Sequence, residues 1–371
     1  MMKLDNLTGS LLFAGTLIGA GILGLPYALS KSGFLGGSAI LFLGAFFSYL
    51  TAMYFVQLVY LQSSEVSLYT IFRRYLGRST SYLALAGMLM SSYGAMIAYP
   101  IAIGEMMNSL LNLPYWLGAG LFIALITFLL TLKVGQSNRI NAVVTVLLVG
   151  LLVWVMLRAT PSITLENYLF FEPSRILDAW GIVIFAFAGH LVIPSVIYAV
   201  KAKPRQGVLA IKSGFWAVAI LYFFFFVVSL GIMGKEVTAV ATLGLGKNLS
   251  PALSTVGQLF AMLAILTSSY GVGISLKLTF EDKLKVNTSY SIPIIIVPVI
   301  LFSIYLSTEG GEAFSKVLNL AGGIGSALYV GLIPAIIVLK LSKFHRFPLG
   351  RKGAIATILF FGLAIAYTIF F

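Results

Sequence analysis

The chain has 371 residues, of which 60% are hydrophobic and only 9% are charged, whereas a soluble globular protein carries about 25% charged residues. Its 24 Lys and Arg residues against 11 Asp and Glu residues give a formal net charge of +13, and it contains two histidines and no cysteine. This composition excludes a water-soluble globular protein, disulfide bonds, thiolate metal sites and cysteine nucleophiles, and it leaves too few histidines for a histidine-based metal cluster.

Apolar runs near the roughly 20 residues that a helix needs to cross a bilayer recur along the whole chain. They predict an all-α polytopic membrane protein with eleven spans: 7–30, 34–62, 80–111, 115–132, 140–157, 176–200, 213–233, 252–278, 290–307, 314–339 and 353–371. The first span runs past the length of a signal-peptide core without a cleavage site, so we expect it to remain in the mature protein. No linker divides the chain, which predicts a single transmembrane domain over 1–371.

The basic residues are distributed unequally between the two sides of these spans. With the N-terminus inside, eighteen of the 24 lie on the cytoplasmic side. The positive-inside rule then predicts a protein of the cell membrane with a cytoplasmic N-terminus and an extracytoplasmic C-terminus. The net charge reflects topology, so we expect no nucleic-acid partner; membrane lipids or cytoplasmic gating partners are expected to contact Arg73, Arg74 and Arg78.

Two short motifs indicate an internal repeat. "GILGLP" at 21–26 and "GHLVIP" at 189–194 share glycine, leucine, an aliphatic residue and proline at the same offsets. Five spans lie in 1–165 and five in 172–340, so the second copy enters the membrane from the opposite side. This predicts a 5+5 inverted repeat, with 353–371 as an extra eleventh helix, and Gly/Pro-interrupted spans at matching positions point to the binding site.

The first of these motifs lies in "TLIGAGILGLP", residues 16–26, which also matches the dinucleotide pattern G-x-G-x-x-G. A dinucleotide site needs a preceding strand and an acidic residue about 20 positions on, and here a membrane span surrounds the glycines. We expect instead that the glycines interrupt the helix, so that free N–H groups at the start of the second half face a carboxylate. Close helix packing through Gly15 and Gly19 is the structural alternative.

At these residues the chain resembles the amino acid/polyamine/organocation superfamily with its LeuT-type fold, and within it the hydroxy and aromatic amino acid permease branch. The resemblance lies in "AGTLIGAG" (14–21), "GHLVIPS" (189–195) and "TSSYGVGISL" (267–276), and "IFAFAG" (184–189) is similar to the broken sixth span of the superfamily. It implies discontinuous first and sixth spans and a secondary active transporter that imports a neutral or aromatic L-amino acid by alternating access. An intramembrane enzyme, and a channel or receptor, are the other classes considered; no catalytic residue or cofactor is expected.

The segment 264–285 also resembles span eight of the sodium-dependent neurotransmitter symporters. That resemblance implies a Na⁺ site made by five oxygens, from the carbonyls of Gly15, Ile18 and Ala264 and the hydroxyls of Thr267 and Ser268. The alternative is that both hydroxyls only bond back to carbonyls of their own helix. In some proton-coupled members of the superfamily, a lysine of span five occupies the position of the Na⁺ ion. Aligning their pattern with this chain puts Leu148 at the position of that lysine. The absence of a lysine at this position favours Na⁺ over H⁺ as the coupling ion.

For the substrate, we expect N–H groups near Ala20, Gly21 and Ile22 to bind the carboxylate, and carbonyls near Phe185 and Ala188 to bind the ammonium group. Phe185 and Phe187 are gate or side-chain pocket candidates. Of the span-three tyrosines, Tyr93 is preferred over Tyr99 as a carboxylate partner, by resemblance to the symporters.

Two ionisable residues are candidates for a proton or pH site, which the H⁺-coupled alternative would need. His190 adjoins the second break, where it either carries a proton or stays neutral and orients the broken segment. Glu105 lies near the outer end of span three, where it is expected to face an aqueous vestibule. The sequence leaves the particular amino acid and the oligomeric state open.

Overall fold

The computed structural model describes residues 4–62, 67–132, 138–199, 204–307, 311–341 and 347–371. Within these ranges nearly all residues are helical, and the one β-type pairing is an isolated bridge between Gly33 and Phe171. The all-α class is therefore confirmed. In chain order the α-helices are α1 (Leu4–Leu17), α2 (Ala20–Ser30), α3 (Gly33–Tyr60), α4 (Leu68–Leu111), α5 (Tyr115–Thr131), α6 (Asn138–Ala159), α7 (Trp180–Ala186), α8 (Ile193–Ala199), α9 (Pro204–Met233), α10 (Ala241–Asn248), α11 (Pro251–Leu278), α12 (Thr288–Leu306), α13 (Gly311–Leu320), α14 (Ile333–Lys340) and α15 (Gly350–Phe370).

The helices make this a multi-pass membrane protein. In the described part of the chain, nine helical stretches are long and apolar enough to cross a bilayer, and the bent pair α1–α2 makes a tenth if both halves form one span. The apolar helix α5 is shorter, at 17 residues. Eleven spans require both the bent pair and α5 to cross, so that number stays a prediction, as does the inverted repeat of 1–165 and 172–340.

One boundary differs clearly from the sequence-based prediction. Helix α4 begins at Leu68 rather than at residue 80, because 68–76 is an amphipathic helical segment that hydropathy alone does not detect. Its apolar side buries Ile71 and Phe72, and the Phe72 ring packs 5.7 Å from that of Phe55 in α3. Its arginines are exposed. Gly77, with a φ of 80°, interrupts the helical geometry between this segment and the apolar part of α4.

The predicted tenth span contains a feature that the sequence analysis missed. A 12-residue π-helix, Ala321–Leu332, joins α13 to α14 and packs against α4, α7 and α15. The approach to α7 is very close, since a β-carbon on Gly322 would lie 1.9 Å from the carbonyl oxygen of Gly181. π-Helical turns are rare and occur frequently at functional sites.

The packing brings the two interrupted helices to the middle of the protein. Helix α2 packs against α3, α7 and α9, and α1 packs against α6 and α9. Helix α15 packs against the π-helix, α14 and α3, and its Phe360 ring lies 5.1 Å from the ring of Trp180 in α7. The interior around α2 and α7 is largely apolar, and its polar groups include the backbone groups at the two helix breaks.

Candidate substrate and ion site

The first break lies between α1 and α2. Helix α1 ends at Leu17, α2 begins at Ala20, and the two are bent by 58°. Gly19 precedes α2 with extended backbone (φ −140°, ψ −149°) and provides no side-chain cap. The N–H groups of the first turn of α2, at Ala20, Gly21 and Ile22, therefore have no partner inside their own helix and form a positive, buried end. Such a helix end suits an anionic group.

The second break follows α7. Helix α7 ends at Ala186, Phe187 and Ala188 leave helical geometry, and a 3₁₀ turn at Gly189–Val192 leads into α8. Within the break, the Ala188 N–H donates to the carbonyl oxygen of Phe185 at 3.0 Å. The carbonyl groups at the end of α7 form a negative helix end, and each carbonyl oxygen keeps a second lone pair for a further donor.

The two phenylalanines of this break differ in their surroundings. Phe187 is fully buried, with its ring 5.1 Å from that of Phe215 and 5.2 Å from that of Tyr222. Phe185 is only partly buried and faces the π-helix, because its β-carbon would lie 2.7 Å from a β-carbon on Gly322. Phe185 is thus the better placed of the two to contact a mobile ligand, and Phe187 belongs to the core.

The two breaks meet each other directly. A β-carbon on Gly21 would lie 2.7 Å from the α-carbon of Ala186, so the start of α2 touches the end of α7. Tyr222 of α9 is fully buried, and its hydroxyl lies 2.5 Å from the carbonyl oxygen of Leu17 and 3.1 Å from that of Ala186. One phenol group therefore ties the carbonyl end of α1 to that of α7. Nothing in the sequence distinguished Tyr222 among 18 tyrosines.

A second tyrosine reaches the same region from the π-helix. The Tyr329 hydroxyl donates to the carbonyl oxygen of Ala188 at 3.3 Å, and the hydroxyl is also within hydrogen-bonding reach of Ser91 and Ser326. The two serine hydroxyls lie 2.8 Å apart. This cluster connects α4 and the π-helix to the second break. Sequence reasoning missed it because the residues are remote in the chain and show no motif.

The proposed ion ligands of α1 and α11 are partly brought together. The Ser268 hydroxyl lies 3.5 Å from the carbonyl oxygen of Ile18, across the two helices. The Thr267 hydroxyl donates within its own helix, to the carbonyl oxygens of Leu263 (3.1 Å) and Ala264 (3.0 Å). Ser268 thus makes the interhelical contact that a shared cation site needs, whereas Thr267 makes the back-bond given above as the alternative.

The side chain that faces Gly15 comes from α6. The three atoms nearest to a β-carbon on Gly15 all belong to Thr145, and the closest is Oγ1 at 2.1 Å. The structure therefore places Thr145 against the last turn of α1. The alignment that puts Leu148 in the Na⁺ position stays a prediction. Neither position carries a lysine.

Of the two span-three tyrosines, the structure does not bring Tyr93 to the breaks. Its hydroxyl donates to the carbonyl oxygen of Ile294 in α12 at 2.8 Å, and its ring packs 6.4 Å from that of Phe280. Tyr99 is buried, and its hydroxyl is within hydrogen-bonding reach of Ser268. Tyr99 is thus the span-three tyrosine at the ion-site residue Ser268, and the role of Tyr93 as a carboxylate partner stays a prediction.

His190 is fully buried behind the second break. Its Nε2 atom lies 3.0 Å from Thr51 Oγ1, and that hydroxyl donates to the carbonyl oxygen of Ser48 at 3.0 Å. Since the threonine proton is engaged with Ser48, we assign the hydrogen of the first contact to Nε2. Nδ1 is buried without a hydrogen-bond partner among the described residues, which fits a neutral imidazole. The edge of the Phe55 ring lies against the imidazole, with 5.4 Å between ring centroids. These contacts fit a histidine that orients the broken segment.

Glu105 lies elsewhere. It is partly buried near the C-terminal end of α4, where Tyr115 at the start of α5 is an electrostatic neighbour. Its role as a proton or pH site stays a prediction.

Comparison with known proteins identifies the family of the chain. The tryptophan/tyrosine permease family matches residues 2–369. The chain is 26% identical over 363 residues to the tyrosine-specific transport system 1 of Haemophilus influenzae, covering 91% of this chain and 88% of that protein.

Solved structures of similar fold cover almost the whole chain. MhsT in complex with L-phenylalanine superposes with a TM-score of 0.70 at 12% identity, covering 100% of this chain and 99% of that one. The Eremococcus coleocola manganese transporter, in complex with an aromatic bis-isothiourea substituted compound, has a TM-score of 0.61 at 17% identity, covering 98% and 87%. The chain has a LeuT-type fold and belongs to the tryptophan/tyrosine permease family, and it is a transporter rather than an enzyme.

Proposed function

We propose that the protein imports a neutral or aromatic L-amino acid by Na⁺ symport through alternating access. The observation that carries this proposal is the meeting of two helix ends of opposite polarity, the N-terminus of α2 and the C-terminus of α7, at the contact of Gly21 with Ala186. An α-amino acid carries a carboxylate and an ammonium group on one carbon. The carboxylate suits the free N–H groups of α2, and the ammonium suits the carbonyl end of α7.

The substrate class follows from the side chains at the breaks. No Asp, Glu, Lys or Arg occurs in residues 14–25 or 183–194, so a cationic or anionic side chain would find no partner there. The partly exposed Phe185 offers an apolar, aromatic contact. The tyrosine-specific relative and the phenylalanine bound to MhsT agree with a neutral, aromatic substrate.

Sodium is the proposed coupling ion because neutral oxygens of two helices meet at Ser268 and Ile18. A hard cation prefers oxygen ligands, and no lysine occupies the neighbouring position on α6. Each positive charge that enters with the substrate gains roughly 2.3 kcal/mol at about 100 mV. Proton symport is the second candidate. It would use His190 or Glu105, and His190 faces Thr51, Ser48 and Phe55 rather than a carboxylate.

Uptake into proteoliposomes tests the proposal. Uptake of labelled tyrosine, tryptophan, phenylalanine and lysine by the reconstituted protein is measured under an inward Na⁺ gradient. The same uptake is measured in parallel under an inward H⁺ gradient of equal driving force. We expect accumulation of an aromatic amino acid with Na⁺ only. Accumulation with H⁺ only would replace the Na⁺ proposal by the proton candidate, and preferential accumulation of lysine would overturn the substrate class.

A further inference from the structure

Two glycines at the end of α1, four residues apart, are each covered by a hydroxyl group. A β-carbon on Gly19 would lie 2.6 Å from Ser268 Oγ of α11, and a β-carbon on Gly15 would lie 2.1 Å from Thr145 Oγ1 of α6. Thr145 is 4% exposed, and α6 packs against both α1 and α11. Gly15 lies in the last turn of α1 and Gly19 directly precedes α2, so hydroxyls from two other helices lie close to the chain on both sides of the end of α1.

The end of α1 also carries backbone carbonyl oxygens without a helical partner. The last bond of the α1 ladder runs from the Ile18 N–H to the carbonyl oxygen of Ala14, at 3.0 Å. The carbonyl oxygen of Gly15 lies beyond it, as does that of Ile18, which Ser268 contacts. Thr145 therefore places its hydroxyl beside Gly15, which is the first residue whose carbonyl oxygen has no partner in the helix.

We propose that Thr145 Oγ1 is an additional ligand of the Na⁺ site, supplied by α6 and not by α1 or α11. The proposal rests on the proposed function, since it takes Na⁺ as the coupling ion. A hard cation needs several oxygens to replace its hydration shell, and α6 packs against both helices that supply the other proposed ligands. A threonine at position 145 supplies a neutral oxygen, whereas the isosteric valine would supply a methyl group.

Valine and serine at position 145 separate the hydroxyl from the packing. Thr145→Val keeps the shape and removes the oxygen; Thr145→Ser keeps the oxygen and removes a methyl group. Thr127→Val is the matched control, because Thr127 lies on α5 and its hydroxyl donates only to the carbonyl oxygen of Ile123 one turn earlier, at 2.7 Å. Thr145→Ala serves as the second hydroxyl-free variant if the valine variant does not fold.

Two measurements are made on each purified full-length variant: the half-saturating Na⁺ concentration for uptake of labelled tyrosine, and the rise in Tm when Na⁺ replaces K⁺ without substrate. We expect Thr145→Val to raise the half-saturating Na⁺ concentration about tenfold, as the loss of one charge-assisted contact implies, and to abolish most of the Na⁺-dependent rise in Tm. Thr145→Ser and Thr127→Val should resemble the wild type in both measurements.

The outcomes distinguish this inference from the proposed function. If the wild type depends on Na⁺ and Thr145→Val keeps the wild-type Na⁺ dependence, Thr145 is not a ligand while Na⁺ symport stands. If the wild type shows no Na⁺ dependence in uptake or in Tm, the coupling ion itself is wrong and the ligand proposal falls with it. Equal impairment in Thr145→Val and Thr145→Ser would assign Thr145 to packing.

Discussion

Gly21 and Ala186 are in backbone contact, because a β-carbon on residue 21 would lie 2.7 Å from the α-carbon of Ala186. This is the point at which the two interrupted helices touch. The nearest atom is part of the backbone and cannot turn away as a side chain could. Any residue larger than glycine therefore has to separate α2 from α7, and with them the two groups of backbone atoms proposed to bind the substrate.

We expect Gly21→Ala to reduce substrate affinity by about tenfold or more, since overpacking of this kind costs about 1–3 kcal/mol, and Gly21→Leu to abolish binding. The measurement is equilibrium binding of labelled tyrosine to the purified protein. Gly120→Ala is the control, because a β-carbon there meets no atom within 4 Å. Wild-type affinity in Gly21→Ala would show that the contact between the breaks is not part of the site.

Tyr222→Phe should weaken substrate binding and lower the stability of the protein. The change removes the hydroxyl that contacts the carbonyl oxygens of Leu17 and Ala186, and it leaves buried acceptors without a donor, at a cost of about 1–3 kcal/mol. We expect the KM for uptake to rise about tenfold and Tm to fall. Tyr290→Phe on α12, whose tyrosine is 65% exposed, should change neither value.

Ser268→Ala should raise the half-saturating Na⁺ concentration more than Thr267→Ala does. Only Ser268 contacts another helix, at the carbonyl oxygen of Ile18; Thr267 is bonded to carbonyls of its own helix. Uptake is measured against Na⁺ concentration at fixed substrate. Unchanged Na⁺ dependence in both variants would remove the α11 hydroxyls from the ion site.

Much of this arrangement could be predicted from local sequence. The apolar runs predicted the membrane-spanning helices, because the thickness of the bilayer fixes the length of a span. The glycines of 16–26 indicated the first break, and the motif 184–194 indicated the second. Both patterns are typical of places where a membrane helix loses its regular geometry. Family motifs then identified the class of protein that the tryptophan/tyrosine permease match confirms.

The tertiary contacts could not be predicted in the same way. Tyr222, Tyr329 and Thr145 each lie within a long apolar stretch of a helix, so neither periodicity nor a motif shows which face they occupy. The choice between Tyr93 and Tyr99 depends on the rotation of α4 about its axis. The 12-residue π-helix has no sequence signal beyond its glycines.

His190→Gln should leave Na⁺-driven uptake largely intact. The glutamine amide can still donate to Thr51, which preserves the contact between α3 and the second break, and it cannot carry a proton at physiological pH. We expect uptake under a Na⁺ gradient to remain within about twofold of the wild type and its pH profile to be unchanged. Complete loss of coupling in a folded His190→Gln variant would favour proton symport instead.

The predicted topology can be tested without mutating native thiols, because the chain contains no cysteine. Ser174 and Ser79 are both exposed, and they lie at ends of the predicted spans that should face opposite sides of the membrane. Serine to cysteine is a small change in either place. With a cytoplasmic N-terminus, a membrane-impermeant maleimide should label Ser174→Cys in intact cells and Ser79→Cys only after the cells are broken. The reverse pattern would invert the orientation, and labelling of both positions in intact cells would contradict the predicted number of crossings between residues 79 and 174.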